Sequence, residues 1–91
     1  AAFWQQRLQL TASDWRIRKM KTRWGTCNTI SRTITINYNL VRLPVQCLEY
    51  IIVHELAHLY EPSHGSRFKD FLTHNLPDWK QRESLLKHFT F

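Results

Sequence analysis

Ninety-one residues, 43% of them hydrophobic and 13% aromatic, suffice for one packed domain and leave no room for a second core. That composition excludes a disordered chain, and no apolar run reaches the roughly 18 residues of a membrane span or the pattern of a signal peptide. Thirteen Lys and Arg against seven Asp and Glu leave a net charge of +6, while two cysteines are too few for a disulfide framework and point to a reducing, cytoplasmic setting.

The chain opens on Ala1-Ala2-Phe3 rather than on methionine, as a C-terminal part of a longer protein would. Residues 1–10 read as the end of a helix, with Trp4 and Leu8 four apart on one packed face. After a turn at Thr11, Ser13 and Asp14, residues 15–22 alternate imperfectly, Trp15 and Ile17 against Arg16 and Arg18, which predicts a strand. Trp24-Gly25 breaks it, and residues 28–32 supply a turn. Ile34, Ile36, Tyr38 and Leu40 then alternate with Thr33, Thr35, Asn37 and Asn39, predicting a half-buried strand that returns antiparallel to the first as a hairpin. Arg16, Arg18, Lys19, Lys21 and Arg23 concentrate the positive charge. Such a segment can attract nucleic acid, nucleotide phosphates or an acidic partner, or simply guard an edge strand against aggregation.

Pro44 suits the first turn of a helix that runs to about Tyr60, where Pro62 stops it. Cys47, Leu48, Tyr50, Ile51, Ile52, Val53, Leu56, Ala57 and Leu59 make this helix apolar almost all the way round, hence buried. Within it lies His54-Glu55-Leu56-Ala57-His58, an H-E-x-x-H motif. Residues four apart share one helix face, so His54 and His58 can offer two imidazole nitrogens to one metal ion, with Glu55 beside them to meet a water. Burying two histidines and a glutamate on one stripe is costly unless something pairs them, and a metal does. Beyond it, Ser63 or Ser66 can cap a helix whose stripe is Phe68, Phe71, Leu72 and Leu76. Pro77 opens a last helix with Trp79, Leu85, Leu86 and Phe89 facing inward. Helix, hairpin and three helices predict an α+β domain over residues 1–91, a small antiparallel sheet packed on a buried metal-binding helix.

A hydrolytic zinc site needs a third protein ligand and an open position. His64 is the expected ligand, since a residue just past a helix stop needs little extra ordering. Glu83 is the alternative, but it sits among Lys80, Gln81, Arg82 and Lys87 on what reads as a solvent face. His54 to His64 has the eleven-residue frame of the metzincins, H-E-x-x-H-x-x-G-x-x-H. Glu61 replaces its glycine, however, and Met20, the single methionine, lies upstream, so the chain is not a metzincin. The cysteines lack C-x-x-C spacing and read as buried thiols.

Taken together, residues 21–27 (Lys-Thr-Arg-Trp-Gly-Thr-Cys), residues 34–40 (Ile-Thr-Ile-Asn-Tyr-Asn-Leu), Pro44, the run from Tyr50 to Leu59, His64, Phe68 and Leu76-Pro77-Asp78 resemble the YgjP-like metallohydrolase family. Its relatives include the SprT-like and WLM zinc-peptidase domains. The likeness spans roughly residues 15–87 and departs from the usual pattern at Thr26 and in the glycine-free turn at residues 30–32. It implies a minimal zincin-like fold, Zn2+ on His54, His58 and His64, and Glu55 as catalytic base.

The expected reaction is zinc-assisted hydrolysis of a peptide or protein substrate, with Glu55 taking a proton from the attacking water. Tyr60, Arg67, His74 and Asn39 are candidates to steady the oxyanion. Two alternatives use the same metal differently. One is a nucleotide pyrophosphatase with the 16–23 basic cluster on the phosphates, against which the lack of a glycine-rich phosphate loop counts. The other is a DNA-associated metalloprotease module. A closed four-ligand site would instead make the zinc structural.

Overall fold

The computed structural model describes residues 1–89. Its elements are α1 (Ala2–Leu8), β1 (Asp14–Arg18), β2 (Gly25–Asn28), β3 (Thr33–Asn37), a 3-10 turn (Tyr38–Arg42), α2 (Val45–Tyr60), α3 (Ser66–Asn75) and α4 (Trp79–Leu86). This is the α+β domain expected, built around α2. That helix buries Cys47, Tyr50, Ile51, Val53, Glu55, Leu56 and Ala57, as its unbroken apolar surface requires. The sheet covers one side of it; α3 and α4 cover others through Phe68, Leu72, Leu76 and Trp79. Trp4 and Leu8 seal α1 onto the same core, and the α1 side chain Gln5 accepts from the Ala12 amide and the Trp15 indole at 3.1 and 2.9 Å, tying α1 to β1.

The expected hairpin is replaced by a three-stranded sheet of order β1-β3-β2. β3 pairs in parallel with β1, Trp15 opposite Ile34, and antiparallel with β2, Cys27 opposite Ile34. The turn at Asn28 to Arg32 is real, but it joins β3 to the short strand Gly25–Asn28. Asn28 Oδ1 accepts the Ile30 and Ser31 amides there, and Arg32 adopts φ 59°. Gly, Thr, Cys and Asn carry little strand pattern of their own; β2 exists because it is wedged between β3 and α2. Ile17, expected to face inward, lies on an edge strand and is 73% exposed. Tyr38 and Leu40 belong to the 3-10 turn rather than the strand, with Tyr38 exposed and Leu40 buried.

Asn37 explains both the end of β3 and the crossover from β1 to β2. It is 1% exposed. Its Nδ2 donates to the Met20 and Arg23 carbonyls at 2.9 and 2.8 Å, while its Oδ1 accepts the Asn39 amide at 3.0 Å and caps the 3-10 turn. One side chain thus satisfies backbone groups of the loop that carries the chain over the sheet.

The C-terminal half keeps its predicted boundaries with different ends. Pro44 stands just before α2, and α2 stops at Tyr60 with Glu61 extended ahead of Pro62. Neither serine caps α3: Gly65 occupies that position, and Ser63 Oγ donates to Glu61 Oε2 at 3.0 Å. Leu85 is exposed, while Leu86 and Phe89 are half-buried. Arg82 and Glu83, expected in solvent, face α2 instead. Arg82 donates to Asp78, Glu49 and the Gln46 carbonyl, and Glu83 accepts the Tyr50 hydroxyl at 3.0 Å. Asn37→Ala, which strips three backbone partners, is expected to lower stability by about 3 kcal/mol in urea unfolding; a loss under about 1 kcal/mol would mean that water replaces the amide.

Candidate metal centre

α2 presents His54 and His58 one turn apart, and Pro62 turns the chain so that His64 comes back over them. The ligating atoms of the three lie within 4.8 Å of one another. His54 Nε2 is 3.3 Å from His58 Nε2 and 3.3 Å from His64 Nε2. Metal–nitrogen bonds of about 2.0–2.1 Å in a tetrahedron would set their nitrogens about 3.3–3.4 Å apart. The spacing therefore fits three imidazoles sharing one small cation. It fits a hydrogen-bonded trio poorly, because one Nε2 proton can serve only one of two neighbours.

Protonation follows the same logic. Burial, and then the neighbouring His58 and His64, push His54 down to about 4. His58 is lowered too, first by burial and then by His64. Neutral rings keep their lone pairs for a metal. Metal-binding histidines commonly fix the other ring nitrogen with a hydrogen bond. His58 Nδ1 has the Glu61 carbonyl at 3.3 Å, whereas the buried His54 Nδ1 has no acceptor among the described residues.

Phe68 holds the cluster from α3. Its ring centroid lies 5.0, 4.6 and 5.1 Å from those of His54, His58 and His64, so one aromatic side chain packs against all three imidazoles. Its place in the α3 stripe marked it as core, and it serves as core and clamp at once.

Glu55 is buried beside His54 and lies under Gly25 of β2. A Cβ on Gly25 would stand 3.1 Å from Glu55 Cγ, 3.2 Å from Glu55 Oε2 and 3.3 Å from Ile51 Cγ2. The glycine is there for space, since its φ is ordinary. Burial pushes Glu55 up to about 7, opposed by the Arg23 guanidinium. A carboxyl balanced near neutrality suits proton transfer at physiological pH.

Cys27, half-buried on β2, lines the cavity that holds the imidazoles. Burial, then the Glu55 charge, push its thiol up to about 11, and it lies outside the three-histidine group. Cys47 is fully buried, and both thiols are free. Glu83, the alternative ligand, is held by Tyr50 and lies outside the three-histidine group.

The basic cluster divides. Arg16 and Arg18 stand on the outer face of the sheet with Thr26, Thr33 and Thr35, and Lys19 lies 5.9 Å above the Tyr38 ring. Arg23 instead lines both cavities that contain His54 and Glu55, a placement sequence reasoning missed because it grouped Arg23 with its basic neighbours. Of the oxyanion candidates, Tyr60, Arg67 and His74 gather in a separate depression with Phe71.

An α+β domain with three imidazoles converging beside a buried glutamate has the makings of a small metallohydrolase. The chain belongs to the YgjP-like metallopeptidase family, whose pattern matches residues 1–89. That membership makes it a metallopeptidase acting on peptides or proteins and implies a divalent metal. Its fold is similar to that of the metallopeptidase zymogen abylysin of Pyrococcus abyssi (TM-score 0.82, 23% identity, covering 97% of this chain and 90% of that one). It is also similar to the zymogen jannalysin of Methanocaldococcus jannaschii (TM-score 0.81, 22% identity, 96% and 89%). No curated protein matches it by sequence. Among the described residues, no helix is long and apolar enough to cross a membrane.

The raised Glu55 has a consequence for the metal-free protein. With a folded pKa near 7 against 4.5 unfolded, its contribution is fully present below about 4.5 and is lost as pH rises through 7. Metal-free Glu55→Gln is therefore expected to be more stable than the parent at pH 8, with the gap closing below pH 4.5. Thermal unfolding at both pH values checks this; a pH-independent gap would contradict it.

Proposed function

We propose that this chain is a zinc-dependent peptidase in which His54, His58 and His64 hold the metal and Glu55 is the general base. The observation that carries this reading is the convergence of the three imidazoles, His54 Nε2 standing 3.3 Å from the Nε2 of both His58 and His64, beside a buried carboxyl. Three imidazoles suit zinc and leave room for a fourth, exchangeable ligand. When bound, zinc supplies a Lewis acid that polarises the scissile carbonyl and acidifies water.

The protein's own groups do the rest. Glu55, near neutrality in its proton affinity, accepts a proton as water attacks and returns it to the leaving amine. The missing side chain of Gly25 leaves Glu55 its position. Arg23, in both adjoining cavities, is a cation within reach of charge developing on the carbonyl oxygen. β2 lies at the edge of the sheet and borders the imidazole cavity, so an extended peptide can add to it as a further strand. Backbone pairing of that kind binds many sequences alike.

Of the basic segment, Arg23 is the cation that lines the cavities beside His54 and Glu55. Arg16 and Arg18 lie on the outer face of the sheet and cannot join it in one phosphate clamp. The same division weakens a DNA-binding role built on the whole segment.

Two variants test the assignment. Glu55→Gln is expected to retain one zinc per chain while kcat on an unfolded protein falls by about a hundredfold or more. His64→Ala is expected to lose zinc. Nucleoside triphosphates, assayed in parallel, should be left intact. Parental turnover by Glu55→Gln would remove Glu55 as the base, and triphosphate hydrolysis without peptide cleavage would overturn the peptidase reading.

A further inference from the structure

The chemistry proposed above leaves one large space unused. A cavity of about 420 Å³ opens on the Trp24 side of the imidazole cluster, within the size range of specific ligand pockets. Trp24, Tyr50, Ile51, Leu86 and Phe89 give it mostly carbon walls, and His54 and Glu55 form one side. The space therefore begins where a scissile bond would lie. A neighbouring, smaller cavity of about 270 Å³ is lined by Arg23, Thr26, Cys27 and Thr29 with the imidazoles, and is polar in character.

The polar groups of the larger cavity do not favour a charged guest. The Tyr50 hydroxyl donates to Glu83 and so presents its ring rather than a free donor. Arg23 and Lys87 share its lining with the carboxyl groups of Glu55 and Glu83. A polar side chain entering here would lose water and find few free partners, whereas an apolar one gains in proportion to the area it buries. Gly25 lines both cavities, and any larger residue there would press on Glu55 and Ile51 between them.

We propose that this cavity is the side-chain pocket that selects the cleavage site, taking a large apolar residue, aromatic or branched aliphatic, next to the scissile bond. The proposal rests on the peptidase reading and adds selectivity that strand pairing along β2 does not provide.

The test uses the zinc-loaded chain and a peptide series identical except for Phe, Leu, Ala, Asp or Lys at one position beside the cut. Phe and Leu are expected to exceed Ala by at least about tenfold in kcat/KM, with Asp and Lys no better than Ala. Leu86→Trp, which fills the cavity, is expected to collapse the Phe-to-Ala ratio. Arg16→Gln, on the outer face of the sheet, should leave that ratio as it is. Equal rates across the series on the parent protein would overturn the proposal and leave the peptidase reading standing. So would an unchanged ratio in both Leu86→Trp and Trp24→Ala. Should Leu86→Trp not fold, the parent series and Trp24→Ala decide the matter. Failure to cleave any of the peptides with zinc bound would sink the peptidase reading itself, and this proposal with it.

Discussion

Three imidazoles converging on one point, with His54 Nε2 about one metal–ligand tetrahedron edge from the Nε2 atoms of His58 and His64, are the constraint around which this domain is arranged. Left to themselves, three imidazole rings gain little from such closeness. The fold holds them there from several directions. α2 sets His54 and His58 one turn apart, Pro62 bends His64 back, and Phe68 packs across all three. Burial then keeps His54 and His58 unprotonated, which is the state a metal requires.

A domain this small has few core residues to spare, so polar side chains take on structural work. Asn37 satisfies the crossover loop and the 3-10 turn. Arg82 and Glu83 tie α4 to α2 through Glu49, Gln46 and Tyr50. These ties also shape the site: the Tyr50–Glu83 bond forms part of the wall of the larger cavity, and the Asn37 bonds fix the loop that delivers Arg23 and Gly25 to Glu55.

The three-histidine cluster was legible because its geometry is local. Two histidines four apart on a helix must share a face, and a proline just past that helix limits where His64 can go. α2, α3 and α4 were legible for a related reason, since helical periodicity is written within each segment. The sheet was not. Gly25–Asn28 has no strand pattern, and its pairing depends on β3 and on the underside of α2, so the sequence suggested a hairpin between the wrong strands. Arg23 and Glu83 were misjudged likewise. Each sits among charged neighbours that read as solvent-facing, and only tertiary packing turns them toward His54, Glu55 and Tyr50. The clamp formed by Phe68 was legible only as core, because His64 lies in the loop before α3 and packing alone brings the ring across all three imidazoles.

The central claim is that three histidines and an exchangeable ligand surround one metal ion. X-ray absorption at the zinc edge of the stoichiometrically loaded protein addresses it directly. The account predicts one zinc per chain with three imidazole nitrogens and one oxygen donor at about 2.0–2.1 Å. A sulfur neighbour at about 2.3 Å, four imidazole or carboxylate ligands from the chain, or no tight zinc at all would contradict it.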